Sequence, residues 1–356
     1  MITNKHLFFL ILFTQFGVFI TSFPNTLFLK AGHDGWISVL LAGVMIQGLF
    51  FVYYSLYKKF PNKSLTDYTK ILTNPFIGAC LNICYYLYFF YVFYIISMEF
   101  ADVMNIWMFP NTPSWIVLLL YLITAVIVAK KDIQSIARTY ILCSFIFIIF
   151  ILMLLGSFED IHIGRILPIG ENSVKNISSG IYPSFSQMLG FEIFLFLPPN
   201  FQDTKKKLFT FTIVNFTTTI LCSFAVFIVF VSFSSAQISQ SVDPLLYLFR
   251  GYHSKIIDNL DTIFLSLWTV TMTSTLTTYL FIVSDDIHKR LKGLVKKRVS
   301  ILLIIAFLIL ISFPLVSMDF IKRDAILKYG SYLDFIFVII IPCLLFLINK
   351  VRGVFN

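Results

Sequence analysis

The chain has 356 residues, of which 58% are hydrophobic, 18% aromatic and only 13% charged, and its mean hydropathy is +0.87. That composition excludes a water-soluble domain and describes a polytopic membrane protein. The net charge of +9 lies in short basic caps beside apolar runs, with no motif that reads DNA or RNA, which excludes a nucleic-acid partner.

Apolar runs long enough to cross about 30 Å of hydrocarbon fall near 7–29, 37–57, 77–106, 115–129, 138–158, 181–198, 208–234, 258–284, 299–318 and 332–349. They predict ten transmembrane helices in an all-α integral membrane fold, one domain over 1–356. The fourth run is short, and the third is long enough to tilt or protrude. With the N-terminus inside, 19 of the 27 Lys and Arg residues fall on the cytoplasmic connections, which predicts that both termini are cytoplasmic. The first run is span-length and lacks a small-residue cleavage site, so no cleavable signal is expected. The longest polar connections, 159–180 and 235–257, face outside, and "DPLLYLFRGYHSKII" in the second has the character of a short surface helix. The triplet in "TKKKL" (204–208) is a cytoplasmic anchor for anionic membrane lipid.

Enzymatic chemistry lacks its parts: there is no nucleophile–base–acid set, no metal cluster and no phosphate-cradling loop. All five cysteines lie inside spans. Cys80 and Cys84 share a helical face, but no His or carboxylate completes a set, so packing explains them and no metal or other cofactor is expected.

Two spans are candidates for broken helices. Span 1, "HLFFLILFTQFGVFITSFPNTLFL", and span 6, "IYPSFSQMLGFEIFLFLPP", each carry Gly and small polar residues mid-span and Pro towards the end. An unwound segment frees backbone N–H and C=O groups, which a bilayer tolerates only where they line a cavity or meet a ligand. Five is an odd number of spans, so a second copy of a five-span repeat is inverted. The pattern predicts a 5+5 inverted repeat, about 7–158 and 181–349, with the site between the breaks. Gly17 and Gly190 also fit the plainer role of close helix packing. The carboxylate of Glu192 beside the second favours a site.

The Gln–Gly pair in "FTQFGVFITSFP", the "GFE" at 190–192 with its downstream "LPPNFQD", and "DTIFLSLWT" at 261–269 resemble the B subunits of spore germinant receptors, in the amino acid–polyamine–organocation transporter superfamily. The resemblance covers essentially the whole chain. It implies a LeuT-like fold in the inner membrane of a dormant spore, A-type and C-type receptor subunits as partners, and a small nutrient germinant, usually an amino acid, as ligand. Carried over by position, the ligand lies between "QFGVFIT" (15–21) and "SFSQMLGFE" (184–192), with side walls from spans 3 and 8. This assigns Gln15, Gly17, Phe19, Thr21, Ser186, Gly190 and Glu192 to the site; Tyr91, from the aromatic run of span 3, joins them as a ring face for an ammonium. The chain departs from the pattern twice. Where relatives often carry a second Gly, Phe19 either fills the ligand's space or walls a different pocket. Where relatives tend to carry Arg ahead of the acid of span 8, this chain has Asn259 and Leu260, which removes an ion-pair partner of Asp261.

A charge at bilayer depth costs about 2.5 to 3.5 kcal/mol, so Glu192 needs a role. It holds a ligand ammonium, takes a proton for coupling, braces the break through freed backbone groups, or lies at the periphery. Glu99 and Asp102 share a face near the outer end of span 3, either lining a vestibule or marking the exit from the bilayer. Tyr88 and Tyr91 offer ring faces to an ammonium. Asp258 and Asp261 suit the positive end of span 8, and Trp268 lies two turns beyond Asp261, making that pair a candidate for gating with Glu99. Asp334 reads as an N-terminal cap of span 10. Two functions compete: a sensor that passes ligand-induced population shifts to partner subunits, and an amino acid transporter working by alternating access. A scaffolding subunit becomes the reading if Phe19 closes the site.

Overall fold

The computed structural model describes residues 2–157, 162–167, 169–170, 172–197, 201, 206–252, 259–291, 298–316, 326 and 329–354. Span 1 is two half-helices, α1 (Asn4–Gln15) and α2 (Phe23–Ala31), separated by an unwound stretch. Thr3 opens α1 through a reciprocal cap with His6. Span 2 is α3 (Gly35–Lys59). A short amphipathic helix, α4 (Leu65–Leu72), follows, begun by a capping box in which the Asp67 carboxylate accepts from the Ser64 backbone at 3.1 Å. Span 3 is α5 (Pro75–Trp107), capped by Asn74, and span 4 is α6 (Ser114–Ala129).

Span 5 divides into α7 (Ile133–Cys143) and α8 (Phe145–Gly156). It begins at 133 rather than 138 because Asp132 caps the helix, accepting from Ser135 N at 2.9 Å. The first half of span 6, α9 (Val174–Gln187), likewise starts earlier than 181, because the Ser173 hydroxyl satisfies Asn176 N. Its second half is a tight turn, Phe191–Leu195. Span 7 is α10 (Lys207–Ser232). The connection after it carries α11 (Ser235–Gln240) and α12 (Pro244–Arg250), the latter within the stretch expected to form a surface helix. Span 8 is α13 (Leu260–Arg290) and span 9 is α14 (Arg298–Val316). Span 10 runs over Tyr329–Arg352, with a π-helical turn, Phe335–Ile340, leading into α15 (Ile341–Val354). Among the described residues the β-structure is one isolated bridge, Ile2 to Phe201.

Among the described residues, five segments are each long and apolar enough to cross a membrane: Phe23–Lys59, which joins α2 to span 2, Pro75–Trp107, Ile133–Gly156, Lys207–Ser232 and Tyr329–Arg352. Spans 1 and 6 cross as pairs of shorter pieces, which is what a break in mid-membrane requires. The halves sit at the centre of the bundle. Helix α1 packs on α10 (span 7), while α9 packs on α3 (span 2), so each broken span leans on the helix following the other. Spans 2 and 7 lie against each other with close backbone approach: the amide of Asn215 donates to Gly43 O at 2.9 Å. At the face opposite the N-terminus, Asp34 ties the span 1–2 connection to the stretch before α9, accepting from Gly170 N at 2.9 Å and Asn172 N at 3.1 Å.

At the N-terminal face, α4 is fastened to the end of α13. Arg290 bridges Asp67 at 2.9 Å and Asp286 at 3.0 Å, and Thr66 donates to Asp286 at 2.7 Å. Tyr86 of span 3 adds a hydrogen bond to the same Asp286.

Candidate ligand site between the two broken helices

Each break is made by one glycine in a conformation that side chains resist: Gly17 has φ +122° and Gly190 φ +121°. The backbone of Gly190 packs against the end of α1. A Cβ on Gly190 would stand 2.5 Å from the carbonyl oxygen of Thr14.

Unwinding frees backbone groups, and neighbouring side chains satisfy several of them. The indole of Trp268 donates to Gly17 O at 2.5 Å, and Thr275 donates to Phe13 O at 3.0 Å, so span 8 serves the first break. Gln15 reaches across to the second, donating to Met188 O at 2.9 Å while its own oxygen accepts from Thr218 at 3.4 Å. Within the second break, Gly190 N donates to one oxygen of Glu192 at 2.8 Å, and the Tyr279 hydroxyl donates to the other.

Beside the breaks lies a cavity of about 500 Å³. Its walls are the span 1 break and α2 (Val18, Phe19, Ser22, Thr26), span 3 (Tyr91, Ile95, Glu99), span 6 (Tyr182, Ser186, Gln187), span 8 (Thr275, Tyr279) and span 10 (Asp334). Lys30, in the last turn of α2, stands where the cavity reaches towards the face opposite the N-terminus. The surface therefore joins apolar and aromatic groups to two acids and one cation, a mixture suited to a small dipolar molecule. Asp334 is held by hydroxyls from two sides, Tyr88 at 3.1 Å and Tyr182 at 3.5 Å.

A second, more polar cavity of about 470 Å³ opens at the N-terminal face, lined by Asn62, Asp67, Phe196, Asp285 and Arg290 among others. Between the two lies a layer of rings: Phe89 packs on Phe196 at 4.9 Å and on Tyr279 at 5.7 Å.

Of the residues singled out in the sequence, Phe19, Tyr91, Ser186 and Glu99 line the first cavity. Phe19 walls it and leaves it open. Gln15, Gly17, Gly190 and Glu192 lie behind that lining and join the breaks to each other and to span 8. Both oxygens of Glu192 are engaged in this way, and its side chain is buried. Thr21 is fully buried, and its hydroxyl has no partner among the described residues. Trp268 sits beneath the first break, stacked on Phe100. Asp261 lies apart from the cavity and faces Arg250 of α12 at 4.0 Å, so α12, whose leucines are buried in the bundle where the sequence predicts a surface helix, supplies a cation that the missing Arg ahead of span 8 does not. Asp258 lies outside the described residues.

The sequence reading of Asp334 as a terminal cap needs correction. It is helical, within span 10 and directly ahead of the π turn, and it belongs to the cavity wall. The apolar run begins only two residues earlier, so hydropathy alone places the residue at the membrane edge. Lys30, Tyr182, Gln187 and Tyr279 were also passed over. For Gln187 a signal existed: it precedes Gly190 much as Gln15 precedes Gly17.

A family model described as "Spore germination protein" matches residues 1–319. The chain is 23% identical over 348 residues to spore germination protein A2 of Bacillus subtilis (strain 168), covering 95% of this chain and 93% of that protein. It is 21% identical over 345 residues to spore germination protein GerQB of Bacillus cereus, covering 97% and 94%. Among solved structures, a Na+-coupled sialic acid symporter in a substrate-bound, outward-open state superposes with a TM-score of 0.64 at 12% identity, over 93% of this chain and 76% of that one. A manganese transporter of Eremococcus coleocola superposes with a TM-score of 0.54, also at 12% identity, over 92% and 74%. The chain thus has the LeuT-like transporter fold, ten membrane spans with the first and sixth broken.

Proposed function

The chain belongs to the spore germination protein family, and we propose that it is the nutrient-sensing membrane subunit of a germinant receptor. It binds a small germinant, an amino acid, in the cavity beside the broken helices and signals to A-type and C-type partner subunits. The observation that carries this reading is the cavity itself, walled by both breaks and holding charges of both signs. Lys30 at its mouth suits a carboxylate, and Glu99 and Asp334 with the rings of Tyr91 and Tyr182 suit an ammonium. The protein lies in the spore's inner membrane with both termini cytoplasmic, as the 19 of 27 basic residues on that side favour. The cavity then opens to the outside, where nutrient arrives.

Ligand acts by binding one arrangement of the breaks better than another, which shifts the populations that the partner subunits meet. Spores lacking this protein lose the response to one nutrient class while keeping the others. Normal germination of the deletion strain on amino acids, nucleosides and sugars alike contradicts the reading. A second reading, an amino acid transporter by alternating access, is favoured by the transporter fold and by the two cavities on opposite sides of a thin ring layer. Saturable uptake of an amino acid by the isolated protein in vesicles supports that reading.

A further inference from the structure

Gln15 and Gln187 hold matching places: each is the last residue of the helix that enters a break, α1 or α9. Their side chains are used differently. The amide of Gln15 is bonded on both its nitrogen and its oxygen, to Met188 O and Thr218. Gln187 is only 2% exposed, and neither its Nε2 nor its Oε1 has a hydrogen-bond partner among the described residues. It forms part of the cavity wall, beside Ser186 and Leu189.

A buried amide unpaired on both sides is destabilising, and native proteins keep few such groups. No hydrogen bond has to break for Gln187 to turn towards an occupant of the cavity, so the group is free to re-aim at low cost. An amide offers a donor and an acceptor side by side, and what satisfies both at once is the same pair reversed.

We infer that Gln187 is a specificity-determining residue, and that the cavity selects a small molecule carrying an adjacent hydrogen-bond donor and acceptor. The smallest such edge is a primary carboxamide, and a nucleobase carries a similar one. This inference rests on the ligand-binding reading of the cavity given above. It adds which ligands are preferred: a site with an amide to satisfy rejects an apolar isostere, because the amide then stays buried and unpaired.

The test is equilibrium binding to the purified full-length protein and to Gln187→Leu, with two pairs of probes. L-asparagine is set against L-leucine, its near-isostere. Adenosine is set against purine riboside, which lacks the exocyclic amine. In the parent, the donor–acceptor member of at least one pair binds tighter; in Gln187→Leu that preference falls about tenfold or more. A preference unchanged by Gln187→Leu, or tighter parental binding of both apolar members, overturns the inference and leaves the cavity reading in place. Failure of all four probes and of every other L-amino acid to bind the parent overturns the cavity reading, and this inference with it. Thermal unfolding without ligand provides a control that a structural role would fail. Gln187→Leu melts no lower than the parent, since it removes an unpaired amide. A drop as large as that of Gln15→Leu marks Gln187 as a structural latch and overturns the inference.

Discussion

The two breaks share a design and differ in how fully it is filled in. In span 1, the break is held from outside itself: Trp268 takes the Gly17 carbonyl, and Gln15 fastens the end of α1 to the backbone of span 6. In span 6, Glu192 folds back on Gly190 N within the break and meets Tyr279, while the Gln187 amide on the cavity side has no hydrogen-bond partner among the described residues. The group of the first break that is unpartnered among the described residues, the Thr21 hydroxyl, is not part of the cavity wall, whereas the second presents an unpaired amide to the cavity. Backbone at membrane depth has to be satisfied somewhere, so the groups left unsatisfied are informative.

The largest effect that separates the two breaks comes from their glycines. Gly190→Ala sets a Cβ 2.5 Å from the Thr14 carbonyl oxygen and forces a strained φ, with backbone on both sides of the clash. It is expected to abolish recovery of folded protein from membranes. Gly17→Ala has the same strain but meets the Thr271 hydroxyl at 3.0 Å, a side chain that is able to shift, so a fraction of folded protein survives. Equal yields of the two variants in fluorescence-detected size exclusion would break the comparison.

Next in size is Gln15→Leu, which strands Met188 O in the interior and is expected to destabilise by about 1 to 3 kcal/mol, read as a lower melting temperature. Trp268→Phe removes the donor to Gly17 O and is expected to cost a similar or smaller amount, with span 8 still packed through Phe100. A Trp268→Phe protein as stable as its parent would show that the first break does not need the indole hydrogen bond. Glu192→Gln keeps the size of the side chain but has one acceptor oxygen where the carboxylate has two; with that oxygen on Gly190 N, the amide NH2 faces the Tyr279 hydroxyl, whose proton then loses its acceptor. Spores carrying it are expected to germinate more slowly at normal protein levels; an unaltered response would leave Glu192 without a role in signalling. The smallest structural effect is expected from Phe19→Gly, which enlarges the cavity from its wall. Its signature is a changed range of effective germinants rather than lost stability, and an unchanged range would place the ligand away from Phe19.

Much of the frame was legible because its signals are local. Hydropathy marks the spans, and Gly17 and Gly190 inside two of them mark the breaks. Helix starts were misplaced where a single capping residue decided them, as Ser173 does for α9 and Asp132 does for α7. The cavity was only half legible for a different reason. Whether a polar residue faces a ligand or a neighbour depends on contacts between distant positions, such as Gln15 with Met188 or Tyr88 with Asp334. Glu192 drew attention as a lone carboxylate in an apolar stretch, yet its oxygens are engaged within the frame. Lys30 and Asp334 stand at the edges of apolar runs in the sequence, and the folding of α2 and span 10 around the cavity makes them part of its wall.

The most direct test of ligand binding between the breaks uses Ser186→Cys, a position in the cavity wall. Its labelling by a membrane-impermeant thiol reagent, applied from the outer side, is compared with that of the parent, whose five cysteines set the background. The amino acid that germinates parental spores through this receptor is expected to slow the extra labelling in proportion to its occupancy. Labelling at the same rate with and without that amino acid, in a variant that still responds to it, would contradict a ligand seated between spans 1 and 6.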